Sequence, residues 1–188
     1  DAPADVVENR RRLAVRIALS PDHVLYADQV HGAGVATVDG PWPGPVPRVD
    51  GIVTRVAGTG LAVLVADCVP VLLADPVAGV VGVAHAGRAG MVAGGVPAVL
   101  AAMRTLGAAD ITARIGPSVC GRCYEVSTEM RAEVADEEPA SWATSRAGTP
   151  ALDVAAGVAA QLRRAGVGVR RLEGCTVEDS GLYSYRRD

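Results

Sequence analysis

The stretch that decides the fold runs from Leu61 to Ala86 and reads LAVLVADCVPVLLADPVAGVVGVAHA. Charged residues and prolines interrupt it at four places, namely Asp67, Pro70, Asp75 and Pro76. No uninterrupted apolar run therefore reaches the roughly 18 residues that a membrane helix needs. Near-continuous apolar runs of this length are typical of strands covered on both faces. The predicted strands in this stretch are Leu61–Ala66, Val69–Ala74 and Val80–Ala84.

The pattern on either side alternates between short strands and amphipathic helices, so the sequence predicts an α/β fold in one domain, residues 1–188. The other predicted strands are His23–Val30, Gly34–Val38, Gly51–Val56, Ile111–Ile115 and Val169–Gly174. The predicted helices are Val6–Leu19, Met91–Leu106, Thr128–Val134 and Leu152–Ala165. Four prolines between Pro41 and Pro47 predict an exposed loop there.

Composition narrows the classes of partner. The chain has 188 residues, a formal net charge of −3 and 49% hydrophobic residues, so we expect a compact protein without a broad positive surface. Nucleic acids and membranes are therefore not expected as partners. Four cysteines are too few for a disulfide scaffold, and no leader-like segment opens the sequence, so we expect a cytoplasmic location.

His31, Cys68 and His85 each lie where a predicted strand ends, so their side chains can meet at the rim of a sheet. Imidazole and thiolate are preferred zinc ligands, and three protein ligands leave a fourth position open, as in catalytic zinc sites. Spacing alone leaves other interpretations open. Cys68 and His85 fit a thiolate nucleophile and its general base in a metal-free hydrolase. An inert buried cysteine and a histidine that only makes hydrogen bonds also fit the pattern, and both are common in proteins.

Cys120 and Cys123 form a Cys-x-x-Cys pair, which is found in redox couples and in zinc knuckles. The sequence contains no second pair of this kind, and Cys175 stands alone. We therefore predict two neighbouring thiols in a turn, which act neither as metal ligands nor as a redox pair.

Two further segments offer anion-binding groups. The glycine-rich turn around Arg88 follows a predicted strand, where backbone N–H groups and the guanidinium can face an anion. Near the C-terminus, Glu178 and Asp179 precede a Tyr-Ser-Tyr-Arg-Arg stretch that ends in Arg186 and Arg187. Carboxylates, arginines and tyrosines together offer proton transfer, phosphate binding and base stacking, although a surface ion-pair network has the same composition.

A set of short motifs in a fixed order resembles the YfiH family, also described as laccase-domain or polyphenol oxidase-like proteins. The motifs are Gln29-Val-His-Gly32, Asp50-Gly-Ile-Val-Thr54, Ala66-Asp-Cys-Val-Pro-Val-Leu-Leu-Ala-Asp75, Ala84-His-Ala-Gly87, Ile115-Gly-Pro117, Cys123-Tyr-Glu-Val126, Cys175-Thr176 and Tyr183-Ser-Tyr-Arg-Arg187. The resemblance covers nearly the whole chain. It implies a layered mixed β-sheet with flanking helices, related to the fold of cysteine-hydrolase toxins.

The resemblance also implies a function, that of a bacterial, zinc-dependent purine nucleoside phosphorylase that deaminates adenosine. Its substrates would be a purine nucleoside and phosphate. Zinc would be held by His31, Cys68 and His85, which with Asp67 form the implied catalytic group. The implied substrate-binding residues are Gln29, Arg88, Arg186 and Arg187, with Glu125 or Asp179 as the acid.

Three alternatives come with the same resemblance: a copper-type polyphenol oxidase, a metal-free cysteine hydrolase and a cell-wall precursor editing factor. The chain's three histidines are too few for the several sites of a multicopper oxidase, so copper is the less favoured metal. The sequence departs from the family where a Trp-Arg pair is replaced by Arg88-Ala89. Family members also extend beyond both ends of this sequence, so we expect parts of the pocket to lie outside it.

Overall fold

A mixed β-sheet of six strands forms the centre of the fold in the computed structural model, which describes residues 2–188. The strands are β2 (Val35–Val38), β3 (Gly51–Thr54), β5 (Val69–Asp75), β6 (Val80–Ala86), β7 (Thr112–Ile115) and β10 (Gly168–Arg171). Their order is β10-β7-β5-β6-β3-β2. The two outer pairs are parallel, and the three inner pairs are antiparallel. The α/β class that the sequence predicts, and the mixed sheet with flanking helices that the family resemblance implies, are confirmed.

The hairpin of β5 and β6 is the longest pairing in this sheet. Its register runs from the pair Val69 and Ala86 to the pair Asp75 and Val80, which confirms the two central predicted strands. Burial along β5 alternates, and Leu72 is 51% exposed. The prediction that the strands are covered on both faces is therefore wrong for β5, where part of one face meets solvent, whereas β6 is buried at every position except Val81.

The α-helices of the described residues are α1 (Pro3–Arg16), α2 (Arg88–Val92), α3 (Gly95–Thr105), α4 (Thr128–Glu137) and α5 (Val154–Arg164), of which α2, α3 and α5 pack against the sheet. The apolar sides of α3 and α5 pack with the sheet in the main core, which includes Leu100, Met103 and Leu162. A smaller apolar cluster comprises Leu25, Val38, Ile52 and Val83. Within residues 2–188, every helix is too short or too polar to cross a bilayer.

Two predicted strands are much shorter than expected. His23–Val30 is reduced to β1 (Val24–Leu25), and Leu61–Ala66 is reduced to β4 (Gly60–Leu61), which pairs with it in parallel. The reason lies in Gln29, whose side-chain amide donates to the carbonyl of Leu64 at 2.8 Å and accepts from its N–H at 2.7 Å. The backbone of Leu64 therefore bonds to a side chain instead of a neighbouring strand.

The predicted helix Met91–Leu106 is divided into α2 and α3. Gly94 lies between them with a φ of 81°, a left-handed conformation that ends one helix and begins the next. The predicted helix Leu152–Ala165 begins later, at Val154, where the Asp153 side chain caps it by accepting from the N–H of Ala156 at 2.7 Å. An unpredicted hairpin of β8 (Trp142–Thr144) and β9 (Pro150–Leu152) precedes it.

The carboxylate of Asp75, at the end of β5, accepts hydrogen bonds from the backbone of two loops and so holds both loops against the sheet. One carboxylate oxygen accepts the N–H groups of Val77 and Ala78 at 3.0 and 2.9 Å. The other accepts those of Ala109 and Asp110 at 2.7 and 2.9 Å. The bonds from Ala78, Ala109 and Asp110 to the charged form hold the pKa of Asp75 below its usual range.

We expect Asp75→Asn to lower the free energy of unfolding at neutral pH, because an amide nitrogen cannot accept the two N–H groups that face it. The folded pKa lies below that of unfolded aspartate, about 3.9, so the carboxylate's contribution is present above that pH and lost as the pH falls. Urea unfolding from pH 7 to pH 3 should show the difference between variant and wild type narrowing in acid. The exposed Asp22→Asn serves as control, and a difference that does not change with pH would contradict this account.

Candidate functional site

A buried carboxylate, Asp50, organises the rim of the sheet just before β3. Its oxygens accept the backbone N–H groups of Val30, His31 and Gly32 at 3.2, 2.9 and 2.7 Å. Its Oδ1 also lies 2.7 Å from Nδ1 of His85. Burial by itself raises the pKa of Asp50, but the bonds from His85 and the backbone outweigh it and hold the pKa below the usual range.

His85 lies near the end of β6 and is 4% exposed. Burial lowers its pKa, so the neutral imidazole is favoured although Asp50 acts in the opposite direction. A neutral ring that donates from Nδ1 to Asp50 keeps Nε2 as a lone-pair donor. Carboxylate–histidine pairs of this kind orient metal ligands and raise their basicity.

The turn that Asp50 holds brings His31 to Cys68. His31 has a φ of 61°, an uncommon value for a residue with a side chain, and the three N–H bonds to Asp50 stabilise the turn. Nε2 of His31 lies 3.7 Å from Sγ of Cys68, and the rings of His31 and His85 meet edge to face with centroids 4.7 Å apart. One ligand atom from each of these three residues lies within 4.8 Å of the others.

These distances fit a zinc ion without major rearrangement. Zn–S and Zn–N bonds of about 2.3 and 2.0 Å in a tetrahedron place sulfur and nitrogen roughly 3.5 Å apart. The observed 3.7 Å between Cys68 and His31 is close to that value. The donor set of two imidazoles and one thiol is also one that zinc accepts.

Gly87 leaves the space in which His31 and Cys68 meet. A Cβ atom at Gly87 would lie 2.9 Å from Cδ2 of His31 and 3.0 Å from Sγ of Cys68. Both distances are too short for ordinary van der Waals contact, so any larger residue at Gly87 would displace the side chain of His31 or Cys68. The Ala-His-Ala-Gly motif therefore supplies both a candidate ligand, His85, and the space beside it.

Cys68 lies in a half-buried setting that disfavours its thiolate. Burial raises the pKa of Cys68, and the negative charges of Asp67 and Asp50 raise it further. A thiol kept protonated in this way is a poor nucleophile without a metal.

Asp67, the residue before Cys68, has a φ of 85° and ties the C-terminal segment to the site. Oδ1 accepts the hydroxyls of Thr176 and Ser184 at 2.6 and 2.7 Å, and Oδ2 accepts the N–H of Arg186 at 2.9 Å. Its carboxylate is engaged by these three donors, an arrangement that indicates a positioning role. The prediction of a catalytic role for Asp67 stays a prediction.

A cavity of about 660 Å³ opens in front of His31, Cys68 and His85. Its volume lies within the range of roughly 300 to 1,000 Å³ that is usual for small-molecule sites. The predicted substrate residues Gln29, Arg88 and Arg186 line it. The guanidinium carbon of Arg186 lies 4.4 Å from the centre of the Tyr124 ring, which also faces the cavity.

Three residues with predicted roles lie outside the lining of this cavity. Arg187 donates to the backbone carbonyls of Thr176, Asp179 and Leu182, and so holds the C-terminal segment together. Asp179 accepts the N–H of Gly181 at 2.8 Å. Glu125 accepts the hydroxyl of Thr149 at 2.8 Å. These contacts indicate structural roles for all three.

Asp50 and Tyr124 are site residues to which the sequence analysis gave no role. Both stand inside quoted motifs, Asp50-Gly-Ile-Val-Thr54 and Cys123-Tyr-Glu-Val126. The available signal for Asp50 was an aspartate placed directly before a fully buried strand, where only a strong hydrogen-bonding role makes its charge tolerable.

A second group of potential ligands lies in the loops next to the cavity. Cys120, Cys123, Cys175 and Glu178 each offer one atom within 4.8 Å of the others. The expectation that Cys175 stands alone is therefore wrong, because the fold brings it to the Cys-x-x-Cys turn.

Comparison with known proteins agrees with this architecture. A family model described as multi-copper polyphenol oxidoreductase laccase matches residues 1–188. The crystal structure of YlmD from Geobacillus stearothermophilus aligns with a TM-score of 0.88 at 34% identity, over 98% of this chain and 75% of YlmD. The crystal structure of Bacillus licheniformis YfiH aligns with a TM-score of 0.84 at 27% identity, over 97% of this chain and 75% of that chain.

Curated relatives resemble the chain along its whole length. A Streptomyces coelicolor protein named purine nucleoside phosphorylase is 59% identical over 192 aligned residues, which cover 100% of this chain and 79% of that protein. A Deinococcus radiodurans protein of the same name is 40% identical over 192 residues, covering 100% of this chain and 74% of that protein. The chain therefore belongs to the YfiH family, the laccase-like family of the polyphenol oxidoreductase model.

Proposed function

We propose that this protein is a zinc-dependent purine nucleoside phosphorylase of the bacterial cytoplasm, with adenosine deamination as a second activity. The observation that carries the proposal is the meeting of His31, Cys68 and His85 at one cavity, with His85 oriented by Asp50. The names of the relatives support the substrate class.

Zinc is the metal that this donor set favours. Three histidines in the whole chain cannot supply both the mononuclear and the trinuclear centres of a multicopper oxidase. When bound, zinc would supply a Lewis acid with one position open to substrate or solvent. Burial favours the neutral form of His85, Asp50 holds its Nδ1 so that Nε2 stays available, and Gly87 leaves the space in which the other two proposed ligands meet.

Phosphate would be bound by Arg88 and Arg186, the two arginines that line the cavity. Guanidinium groups pair with phosphate oxygens in bidentate fashion, and stacking on an aromatic face fixes such a group in place. Arg186 has this support from Tyr124, whereas Arg88 stands where family members commonly carry tryptophan. In phosphorolysis, a phosphate oxygen bonds to the anomeric carbon and the bond to the purine nitrogen breaks. The products are the free purine and ribose 1-phosphate.

Deamination of adenosine is supported by the same set of three ligands. The reaction adds water at the six-carbon of the purine and releases ammonia, leaving inosine. It requires no phosphate, so the two activities can be measured separately at one site.

Two alternative functions, a metal-free cysteine hydrolase and a cell-wall precursor editing factor, predict different measurable properties. A metal-free cysteine hydrolase needs a reactive thiolate, but burial and the adjacent Asp67 and Asp50 charges raise the pKa of Cys68. A cell-wall precursor editing factor that only binds its ligand would not turn over nucleosides. Measured turnover therefore separates the enzyme from the binding protein.

We expect protein purified without added metal to contain zinc at the site of Cys68 and to convert inosine only when phosphate is present. Iodoacetamide should leave Cys68 unmodified in the zinc-loaded protein, because the metal holds its sulfur. After chelation, Cys68 should be alkylated and both activities lost, whereas restoring zinc before alkylation should restore both. Peptide mass spectrometry and product chromatography measure these outcomes.

Turnover that survives complete metal removal would reject the zinc mechanism and favour the hydrolase. If zinc protects Cys68 but no nucleoside is converted, the zinc site is supported and the assignment as a purine nucleoside phosphorylase is rejected.

We expect Asp50→Asn to weaken zinc binding at Cys68 by about 10- to 100-fold, the usual cost of losing the partner of a ligating histidine. An asparagine cannot accept from His85 and all three backbone N–H groups at once. The affinity is measured as protection of Cys68 from iodoacetamide at buffered free-zinc concentrations. Asp39→Asn, an exposed carboxylate, is the control.

Unfolding of the metal-free Asp50→Asn variant is followed in parallel, so that loss of fold and loss of affinity are separated. An Asp50→Asn protein that folds and protects Cys68 at the wild-type zinc concentration would show that Asp50 does not position the ligands.

A further inference from the structure

The Cys120–Cys123 turn has the geometry of a metal-binding knuckle. The N–H groups of Cys123 and Tyr124 donate to the carbonyl of Cys120 at 2.9 and 3.1 Å. This pattern folds the chain back so that the two thiols, three residues apart, leave the turn on the same side. Sγ of Cys123 lies 3.1 Å from Oε1 of Glu178, and Sγ of Cys120 lies 3.8 Å from the same oxygen.

The Cys175–Glu178 turn repeats that geometry. The N–H groups of Glu178 and Asp179 donate to the carbonyl of Cys175 at 3.1 and 2.9 Å. This Cys-x-x-Glu turn therefore corresponds residue for residue to the Cys-x-x-Cys turn, with a carboxylate in place of the second thiol.

The two turns lie side by side. Ser118 and Cys175 form a parallel β-bridge, and the N–H of Thr176 donates to the carbonyl of Ser118 at 3.2 Å. The N–H of Cys120 lies 3.4 Å from Sγ of Cys175. Backbone N–H groups directed at a sulfur stabilise its thiolate form. The pairing sets three sulfurs and one carboxylate around a common centre, all within 4.8 Å of one another.

Charge around this centre matches a divalent cation. Three thiolates and a carboxylate carry four negative charges, of which zinc would neutralise two. Arg146 lies 2.6 Å from one oxygen of Glu178, and Arg122 lies 4.0 Å from the other. These two guanidinium groups supply the remaining positive charge, so the loaded centre would be neutral.

We propose, against the sequence-based prediction for Cys120 and Cys123, that these two residues, Cys175 and Glu178 form a second zinc site, separate from the site of His31, Cys68 and His85. Four protein ligands without an open position are the mark of a structural zinc site. On binding, three S–H bonds are replaced by Zn–S bonds, and the three protons pass to solvent.

The position of this site explains what it would stabilise. Val119 and Tyr124, next to the first pair of cysteines, line the cavity. Thr176, next to Cys175, donates to Asp67. A metal that joins the two turns would therefore fix one wall of the cavity to the C-terminal segment that carries Arg186.

The experiment uses Cys68→Ser in the full chain. The protein has four cysteines, so after this replacement any thiolate–metal charge-transfer absorption must come from the second site. The reduced variant is titrated with cobalt(II) alone and then with zinc. We expect a near-ultraviolet charge-transfer band that saturates at one equivalent of cobalt and is abolished by zinc.

Glu178→Gln in the Cys68→Ser background tests the fourth ligand. We expect zinc affinity to fall by about 10- to 100-fold or more. The loss of a residue that only hydrogen-bonds to a metal ligand already costs that much. Glu173→Gln, an exposed carboxylate in the same C-terminal region, should leave the affinity unchanged. An equal effect of both variants would overturn the assignment of Glu178.

The absence of a charge-transfer band in Cys68→Ser, with three thiols still titratable, would overturn the proposal. The proposal would also be overturned by two findings together. Protein prepared without reductant or oxidant would contain a disulfide between two of these cysteines, and the same protein would fail to bind cobalt after reduction. The double variant Cys120→Ser/Cys123→Ser removes two ligands of the second site and keeps Cys68. Zinc protection of Cys68 in this variant therefore tests the proposed catalytic site independently of the second site.

Discussion

The fold at the rim of the sheet depends on one buried carboxylate. Asp50 accepts three backbone N–H groups and the His85 ring, and these donors come from two segments that are distant in the chain. A buried charge costs several kcal/mol unless it is compensated by hydrogen bonds. The turn at His31 and the end of β6 must therefore stay in place together, because release of either leaves the charge with too few donors.

Asp67 accepts hydrogen bonds from the C-terminal segment and holds it in place, as Asp50 holds the turn at His31. Both aspartates are buried and neighbour a proposed ligand: Asp50 bonds to His31 and His85, and Asp67 precedes Cys68. His31 and Asp67 themselves have positive φ values, which cost of order 1 to 3 kcal/mol each. Hydrogen bonds to the Asp50 carboxylate stabilise the backbone at His31, and hydrogen bonds from Thr176, Ser184 and Arg186 to the Asp67 carboxylate fix the residue at Asp67.

Local pattern predicted the centre of the sheet, whereas the three residues that meet at the cavity were implied by the resemblance to the YfiH family. The strands β5 and β6 were found because apolar runs bounded by proline and glycine are local signals. The reduction of Leu61–Ala66 to β4 could not be predicted, because it depends on Gln29, 35 residues away from Leu64. The meeting of Cys175 with Cys120, 55 residues apart, is likewise set by a bridge that sequence spacing does not encode.

The bonds from Asp67 to Thr176, Ser184 and Arg186 span 109, 117 and 119 residues. Contacts over such separations close long loops, and the entropy lost in closing them must be offset by the rest of the structure. During synthesis the hairpin of β5 and β6, with Cys68 and His85, leaves the ribosome well before these partners. The cavity wall that bears Arg186 is therefore completed only when the last described residues are in place, and a shortened chain would keep the sheet while leaving its cavity open.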